Sequence, residues 1–535
     1  MKNTVAHHIA QYLKDEGVQF VFGLPGGASL PLIEGLRQAG IQFVLVRNES
    51  SAVYMAEVTA RLTGTIGACL VTLGPGATNA YAGVANAWLD RSPVLIFTAD
   101  FPEAMKQGHT HQVLDLEAIF KPVTKKTLLI EPNDVLNQLH RAVLVTKHGR
   151  PGPVHIRLTG QVADLEVEPE PLTQIVQRPA PLPDVTPAHQ ALAVAKKPII
   201  VAGLGLEPER PYGELRQLAE SLQAPVIDLP KSRGCFPTSH PLFAGTIGLT
   251  QTDPAYELLD EADCVIGVGF DPVELVKPWQ HSAPFIWVSS WLNEDPKLPS
   301  VLDLVGPISE SLKVLSEADC LPAEGWGEAR VGQLRTKLAS RTYPEPENGR
   351  ILPQQALTAV RRQLPPNTLI STDVGSHKIL TALQWQTETP NRYMVSNGLS
   401  AMGFGLPAAI AANLILDEPT VCIHGDGGFQ MVLGELGLLT ESGRCVISIV
   451  LNDAALDLIR AKQLRRDEAP FGTEFVNPNF ADIAKGYEID HYLVTQVGEC
   501  ETAVQHALEN NHPAIIEVMI DPISYPTAAG QAGSP

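Results

Sequence analysis

The sequence predicts an α/β protein made of three consecutive parallel-sheet domains. Apolar, β-branched runs alternate with helical patterns along the chain, which is the signature of βαβ units. Two polar, proline-containing stretches, one over residues 166–187 and one leading up to Gly349, divide that pattern into segments of similar size. Strand-like runs also end in glycine turns. The most telling are Gly425-Asp426-Gly427-Gly428 and, one helix and one strand later, Leu451-Asn452-Asp453.

Taken in order, the first segment, residues 1–165, opens on an amphipathic helical pattern. Its strands are expected at Val18 to Phe22, Phe43 to Val46 and Ala68 to Thr72. The stretch from Glu166 to Pro187 reads as a linker, since it lacks apolar periodicity and its prolines cannot continue a helix. The second segment, 188–322, carries Pro198 to Gly203, Ala224 to Ile227 and Cys264 to Gly269 as strands. Its Gly203-Leu204-Gly205 lacks the third glycine of a dinucleotide fingerprint, and Pro208 interrupts the helix that should follow, so these glycines read as structural. The third segment, 350–527, holds strands at Thr420 to Ile423 and Cys445 to Leu451 with a helix expected from Phe429 to Thr440. The tail from Ala528 to Pro535 reads as disordered.

At 535 residues with 44% hydrophobic composition, the chain can bury several cores and shows no uninterrupted apolar span. A net charge of −20 opposes binding to nucleic acid or anionic membranes and points to a small-molecule partner. Seven scattered cysteines contain no CxxC pair, so they read as core thiols rather than a disulfide framework or zinc site. The start has no apolar signal core, which implies the cytoplasm.

A parallel crossover returns each strand to the same edge, so Asp426 and Asp453 are expected beyond the carboxyl ends of neighbouring strands, where two acidic side chains can share a cation. Gly427 and Gly428 would let backbone approach an anion there. The pair reads as a metal-diphosphate site. A bland alternative makes Asp426 a helix cap. The first segment has its own set of strand-to-helix junctions: Pro25-Gly26-Gly27, Glu49, and Thr72 to Asn79 with Gly74, Pro75 and Gly76. Glu49 alone would be an ordinary first-turn carboxylate.

These strings resemble thiamine diphosphate-dependent enzymes. GDGG followed by Asn-Asp is similar to the family's metal signature. The resemblance implies that Asp426, Asp453 and the backbone carbonyl of Ala455 hold Mg²⁺, with Asp453 standing where most relatives have Asn. The string from Arg47 to Val94 resembles the pyrimidine-binding domain of acetolactate synthases. There a Glu matching Glu49 meets N1′ of the aminopyrimidine, while Pro25, Gly26, Thr72, Pro75 and Asn79 line the pocket. A proton shared at N1′ lets the cofactor's own amino group act as base. Gly375, Ser376 and His377 match the diphosphate-holding segment. Met402 matches the side chain that bends the cofactor, and the backbone carbonyl of Ser400 is implied to meet the 4′-amino group.

The three segments are thereby expected to be pyrimidine-binding, central and diphosphate-binding domains. Because the family pairs half-sites from two subunits, a homodimer or dimer of dimers is implied. The run from Gly108 through Gln112 is closer to the catabolic than to the biosynthetic acetolactate synthases, with Gln112 and His111 expected at the substrate. Lys462 replaces the biosynthetic Trp, and Asp457-Leu458-Ile459 replaces Gly-Met-Val. Arg460 and Lys462 are either solvated or contacts for an acidic substrate. Changes at Gly269 to Pro272 and Val288 to Trp291 weigh against bound FAD. The expected activity is decarboxylation of a 2-oxo acid, pyruvate above all, with carboligation as in acetolactate synthase. The alternatives are a non-ligating 2-oxo acid decarboxylase, an acyl-CoA lyase, or a cofactor-binding protein without turnover.

Overall fold

Parallel strands must be joined by crossovers, and helices lie between nearly all successive strands of this chain. The computed structural model describes residues 3–108, 110–168, 171–173, 180–294, 298, 300, 302–346 and 349–525. His109, parts of the 166–187 linker and the tail expected to be disordered lie outside the described residues. The first sheet contains β1 (Phe20–Leu24), β2 (Gln42–Leu45), β3 (Gly67–Val71), β4 (Val94–Asp100), β5 (Lys126–Leu129) and β6 (Val154–Thr159), all pairing in parallel. β3 and β4 are buried at every residue, as expected of central strands covered on both faces. Strand β1 starts two residues later than the apolar run suggests. Val18 is buried, but its N–H closes the preceding helix on Leu13 O (3.0 Å) and so does not enter the ladder.

The middle sheet contains β7 (Pro198–Ala202), β8 (Val226–Asp228), β9 (Phe243–Thr246), β10 (Cys264–Val268), β11 (Phe285–Ser289) and β12 (Leu302–Val305). The last sheet contains β13 (Ile370–Thr372), β14 (Tyr393–Val395), β15 (Thr420–Gly425), β16 (Val446–Asn452), β17 (Asp490–Val494) and β18 (Ala514–Met519). Spatial order separates them. The first sheet runs β2-β1-β3-β4-β6-β5 and the last β14-β13-β15-β16-β18-β17, the same plan used twice. The middle sheet runs β12-β11-β10-β7-β8-β9, the doubly wound order of dinucleotide-binding folds.

The described residues gather into two compact units. One takes those of Met1–Gln177, Gly398–Glu418 and Val432–Ser442; the other takes those of Arg178–Asn397, Pro419–Met431 and Gly443–Pro535. The helix expected from Phe429 to Thr440 is broken into an α-turn at Asp426–Gln430, a 3₁₀ turn at Leu433–Glu435 and a helix at Leu436–Ser442. Its glycines explain the break. Glycine is a poor helix former, and Gly434 and Gly437 are held against the Arg47 side chain, which leaves a Cβ at either position only 3.2–3.3 Å from it. All seven cysteines are free thiols, six of them buried. No helix among the described residues is long and apolar enough to cross a membrane.

Candidate cofactor site

In the first sheet the order reverses between β1 and β3, and ligands of open α/β sheets collect at such a switch. After β1 the chain passes Pro25 and Gly26. A Cβ on Gly26 would lie 2.1 Å from Thr72 Oγ1, so only glycine fits. After β3, Gly74 adopts φ +64 and Pro75 starts the helix Pro75–Leu89. After β2, Asn48 caps the helix Glu49–Thr63, its Oδ1 accepting from Ser50 N (2.9 Å).

These turns bring Glu49 to the shelf formed by Thr72 and Gly76. A Cβ on Gly76 would be 2.8 Å from Thr72 Cγ2 and 3.4 Å from Glu49 Oε1. Asn79 Nδ2 donates to Glu49 Oε2 at 3.2 Å, and Glu49 is only 9% exposed. Gln112 joins them with its Cβ 3.0 Å from the Cβ position of Gly74, in left-handed backbone at φ +60. His111 is exposed beside it. Ser400, at φ +55, and half-buried Met402 belong to the same unit. Their segment is tied down where Gly398 N donates to Asp90 Oδ1 (2.7 Å) and where Phe404 meets Tyr54 edge-on at 5.5 Å.

Glu435 has no counterpart in the sequence reading. It is 1% exposed and accepts from the backbone N–H groups of Arg47 and Asn48 at 3.0–3.2 Å, which fixes the loop that presents Glu49. Burial pushes its carboxyl above the usual range. A carboxyl aimed from a helix start beside a shelf cleared of Cβ atoms suits one end of a flat heteroaromatic ring.

The last sheet reverses between β13 and β15. Asp426, at the end of β15, is fully buried. Oδ1 accepts from Gly427 N (2.9 Å), and Oδ2 accepts from Ala454 N and Asn477 Nδ2 (both 2.7 Å). Burial pushes its pKa up, and these hydrogen bonds oppose the push. Asp453, just beyond β16, is pushed to about 8 by burial and by the charges of Asp457 and Asp426, against the pull of Arg460. Arg460 Nη2 lies 3.1 Å from both Asp453 Oδ2 and Asp457 Oδ1, and Ser376 Oγ donates to Asp457 Oδ2 at 2.6 Å. Arg460 is therefore paired with two carboxylates and only 18% exposed, while Lys462 is exposed.

Ala454 sits at φ +56, held by Asp426 on one side and by Phe475 N (3.1 Å) on the other. Ala455 forms a bridge with Glu474. A surplus of buried carboxylate is the donor set a hard divalent cation requires. Among the described residues no three His, Cys, Asp or Glu side chains converge on one point. A cation on Asp426 and Asp453 would draw its other oxygens from backbone and from a diphosphate.

His377 packs against glycine. Its Cε1 lies 2.8 Å and 3.3 Å from the Cβ positions of Gly375 and Gly425. Burial lowers its pKa to about 4, so the ring is neutral, and its Nε2 has no hydrogen-bond partner. Such an unpaired buried nitrogen on a glycine turn fits an anionic ligand. A cavity of about 340 Å³ lined by Ser376, Asp457, Leu458, Arg460 and Tyr525 opens beside the cluster. Gly428 has a further reason to be glycine, because a Cβ there would lie 2.1 Å from Asp373 Oδ2.

Comparison with known proteins covers both regions. Residues 3–119 match the thiamine pyrophosphate enzyme N-terminal TPP-binding domain, 185–315 the central domain and 373–518 the C-terminal TPP-binding domain. The chain is 33% identical to an acetolactate synthase of Arthrospira platensis, covering 98% of this chain and 96% of the relative. It is 32% identical to the acetolactate synthase large subunit of Lactococcus lactis (96% and 92%) and 30% identical to a probable acetolactate synthase large subunit of Methanocaldococcus jannaschii (97% and 92%).

Proposed function

This chain belongs to the thiamine pyrophosphate enzyme family, and from that premise we propose that it decarboxylates pyruvate and joins the resulting two-carbon unit to a second 2-oxo acid, as an acetolactate synthase. The observation that supports this reading most is the buried Glu49 carboxyl, held by Asn79 on a shelf of Thr72 and Gly76. A pocket that only stored the cofactor would need no proton relay.

Glu49 holds a proton at the pyrimidine ring, and Pro25, Gly26, Thr72, Pro75 and Asn79 wall that ring. Met402 and the backbone of Ser400 orient it. Gly375, Ser376, His377 and the Gly425 to Gly428 turn receive the diphosphate. Asp426, Asp453 and the carbonyl of Ala455 hold Mg²⁺. When bound, the thiazolium supplies the electron sink that decarboxylation needs. Gln112, beside the Gly74 turn, hydrogen-bonds a reacting carbonyl or carboxylate, with His111 near the substrate acid. We further propose a homodimer or dimer of dimers in which the Glu49 half of one copy faces the Asp426 half of another. Seven cysteines outside any disulfide suit a reducing cytoplasm.

The test is to incubate the protein with thiamine diphosphate, Mg²⁺ and pyruvate and to identify products by mass spectrometry. Acetolactate with stoichiometric CO₂ is expected. Acetaldehyde would assign a simple decarboxylase, turnover only of an acyl-CoA would assign a lyase, and no CO₂ from any 2-oxo acid would sink the proposal.

A further inference from the structure

The middle sheet has the strand order of a dinucleotide-binding fold, with its switch point between β7 and β10. A diphosphate would lie there, on the backbone N–H groups of the Gly203-Leu204-Gly205 turn. That place is filled by the chain itself. The loops after β7 and β10 are bonded to each other, Gly205 N donating to Gly269 O at 2.8 Å. The carboxylate of Glu274, on the loop after β10, accepts from Leu204 N at 2.7 Å through Oε2 and from Lys231 N at 3.0 Å through Oε1. One carboxylate thus takes the backbone donors at the ends of both β7 and β8. Glu274 is 1% exposed and Lys231 3%.

The glycines of the turn are shaped by these internal contacts. A Cβ on Gly203 would lie 2.7 Å from Gly269 O and 3.0 Å from Glu274 Oε2, and one on Gly205 would lie 2.7 Å from both Gly269 O and Trp291 Cη2. In a dinucleotide fold such glycines clear a path for the pyrophosphate. Here the path is occupied by Gly269, Trp291 and the Glu274 side chain. The same loops reach the last sheet, where Asn397 Nδ2 donates to Glu274 O at 3.1 Å and Lys231 Nζ to Val395 O at 3.1 Å.

We infer that Glu274 is a built-in substitute for a dinucleotide diphosphate, so that the middle domain takes neither FAD nor NAD and serves as a brace for the last sheet. The inference is independent of which reaction the protein catalyses. A carboxylate carries two acceptor oxygens and one negative charge, enough to satisfy the donors that a phosphate would otherwise meet.

The test uses the full-length protein with Glu274→Ala and Glu274→Gln, each saturated with thiamine diphosphate and Mg²⁺ so that the diphosphate-receiving turns of the last sheet are filled. For the unsubstituted protein, acid extraction is expected to release no flavin, and FAD, NAD or ADP at millimolar concentration is expected to leave Tm within about 1 °C. Glu274→Ala is expected to lower Tm by about 5–10 °C. Inorganic phosphate, compared with chloride at equal ionic strength, is expected to restore part of that loss in Glu274→Ala and to have no such effect on the unsubstituted protein. Near-stoichiometric flavin in the purified protein would overturn the inference. So would stabilisation of the unsubstituted protein by any of the nucleotides, or a phosphate response that does not differ between the two proteins. If Glu274→Ala does not accumulate folded, Glu274→Gln decides, since its amide places a donor against backbone donors. A lowered Tm supports the substitute role and an unchanged Tm overturns it.

Discussion

The middle and last sheets lie in one compact unit, are both six-stranded and parallel, and both end strands in glycine turns at a topological switch, yet among the described residues the two turns differ in how far the chain satisfies its own polar groups. In the middle sheet the donors of the turn are consumed by Glu274. In the last, carboxylates outnumber the one guanidinium that meets them, and His377 Nε2 has no partner. A glycine turn at a switch point therefore marks where a ligand can go. Whether one does go there depends on how completely the chain satisfies its own groups.

If an unsatisfied crevice marks function, the corresponding crevice of the first sheet should be the most costly to damage, and in turnover rather than binding. Glu49→Gln is expected to leave thiamine diphosphate affinity nearly intact while slowing exchange of the cofactor C2 proton about 10²–10⁴-fold, read by NMR after acid quench. Unchanged exchange would remove Glu49 from the chemistry. Next comes the last sheet. Asp426→Ala is expected to weaken Mg²⁺-dependent cofactor binding at least about 100-fold by calorimetry, because it deletes a buried carboxylate that orders three donors. Binding at full strength would place the metal elsewhere.

Asn477→Ala keeps the carboxylates but removes one of the two donors to Asp426 Oδ2, leaving the Ala454 N–H, and a loss of about 10–100-fold in metal affinity is expected because the carboxylate is held less firmly. The contrast can also be sharpened with a group that only stabilises. His155 is buried between Thr98 Oγ1 and Thr127 Oγ1, each 2.8 Å from a ring nitrogen, and burial, then Arg157, lowers its pKa to about 3. The unfolded chain takes up this proton near pH 6.5 and the folded one does not. Its contribution is whole above about pH 6.5 and falls by about 1.4 kcal/mol per pH unit on the way down toward 3. Urea denaturation at pH 7 and 5.5 should show the loss in the unsubstituted protein and a shallower one in His155→Gln. The smallest effect is expected for Asp453→Asn, which keeps an oxygen ligand. Metal affinity should stay within a few-fold, and a collapse like that of Asp426→Ala would show that the two residues are equivalent.

The fold was legible because parallel strands buried on both faces announce themselves as apolar runs, and glycine turns punctuate them. Glu49, Asp426 and Asp453 were legible as candidates because each lies two or three positions beyond the end of such a run. Glu435 and Asn477 were not. Glu435 acts on a loop 388 residues away and Asn477 on a carboxylate 51 residues away, and local periodicity carries no information about partners at that distance. Arg460 looked like a surface charge because helical spacing cannot show that two carboxylates wait beside it. The broken helix after Asp426 was missed because the close approach of Arg47 to Gly434 and Gly437 is tertiary.

The first unit is discontinuous in the chain, borrowing residues 398–418 and 432–442 from the far side of the middle domain. During synthesis, the helix Glu49–Thr63 emerges long before the helix Gly405–Leu416 that packs against it. At about 5–20 residues per second, that delay is on the order of tens of seconds. The part of its surface that Gly405–Leu416 covers in the finished protein stays open in that interval. The nascent protein is thus a natural client for ribosome-associated chaperones. A fragment ending after the first sheet should aggregate, although every strand of that sheet is present.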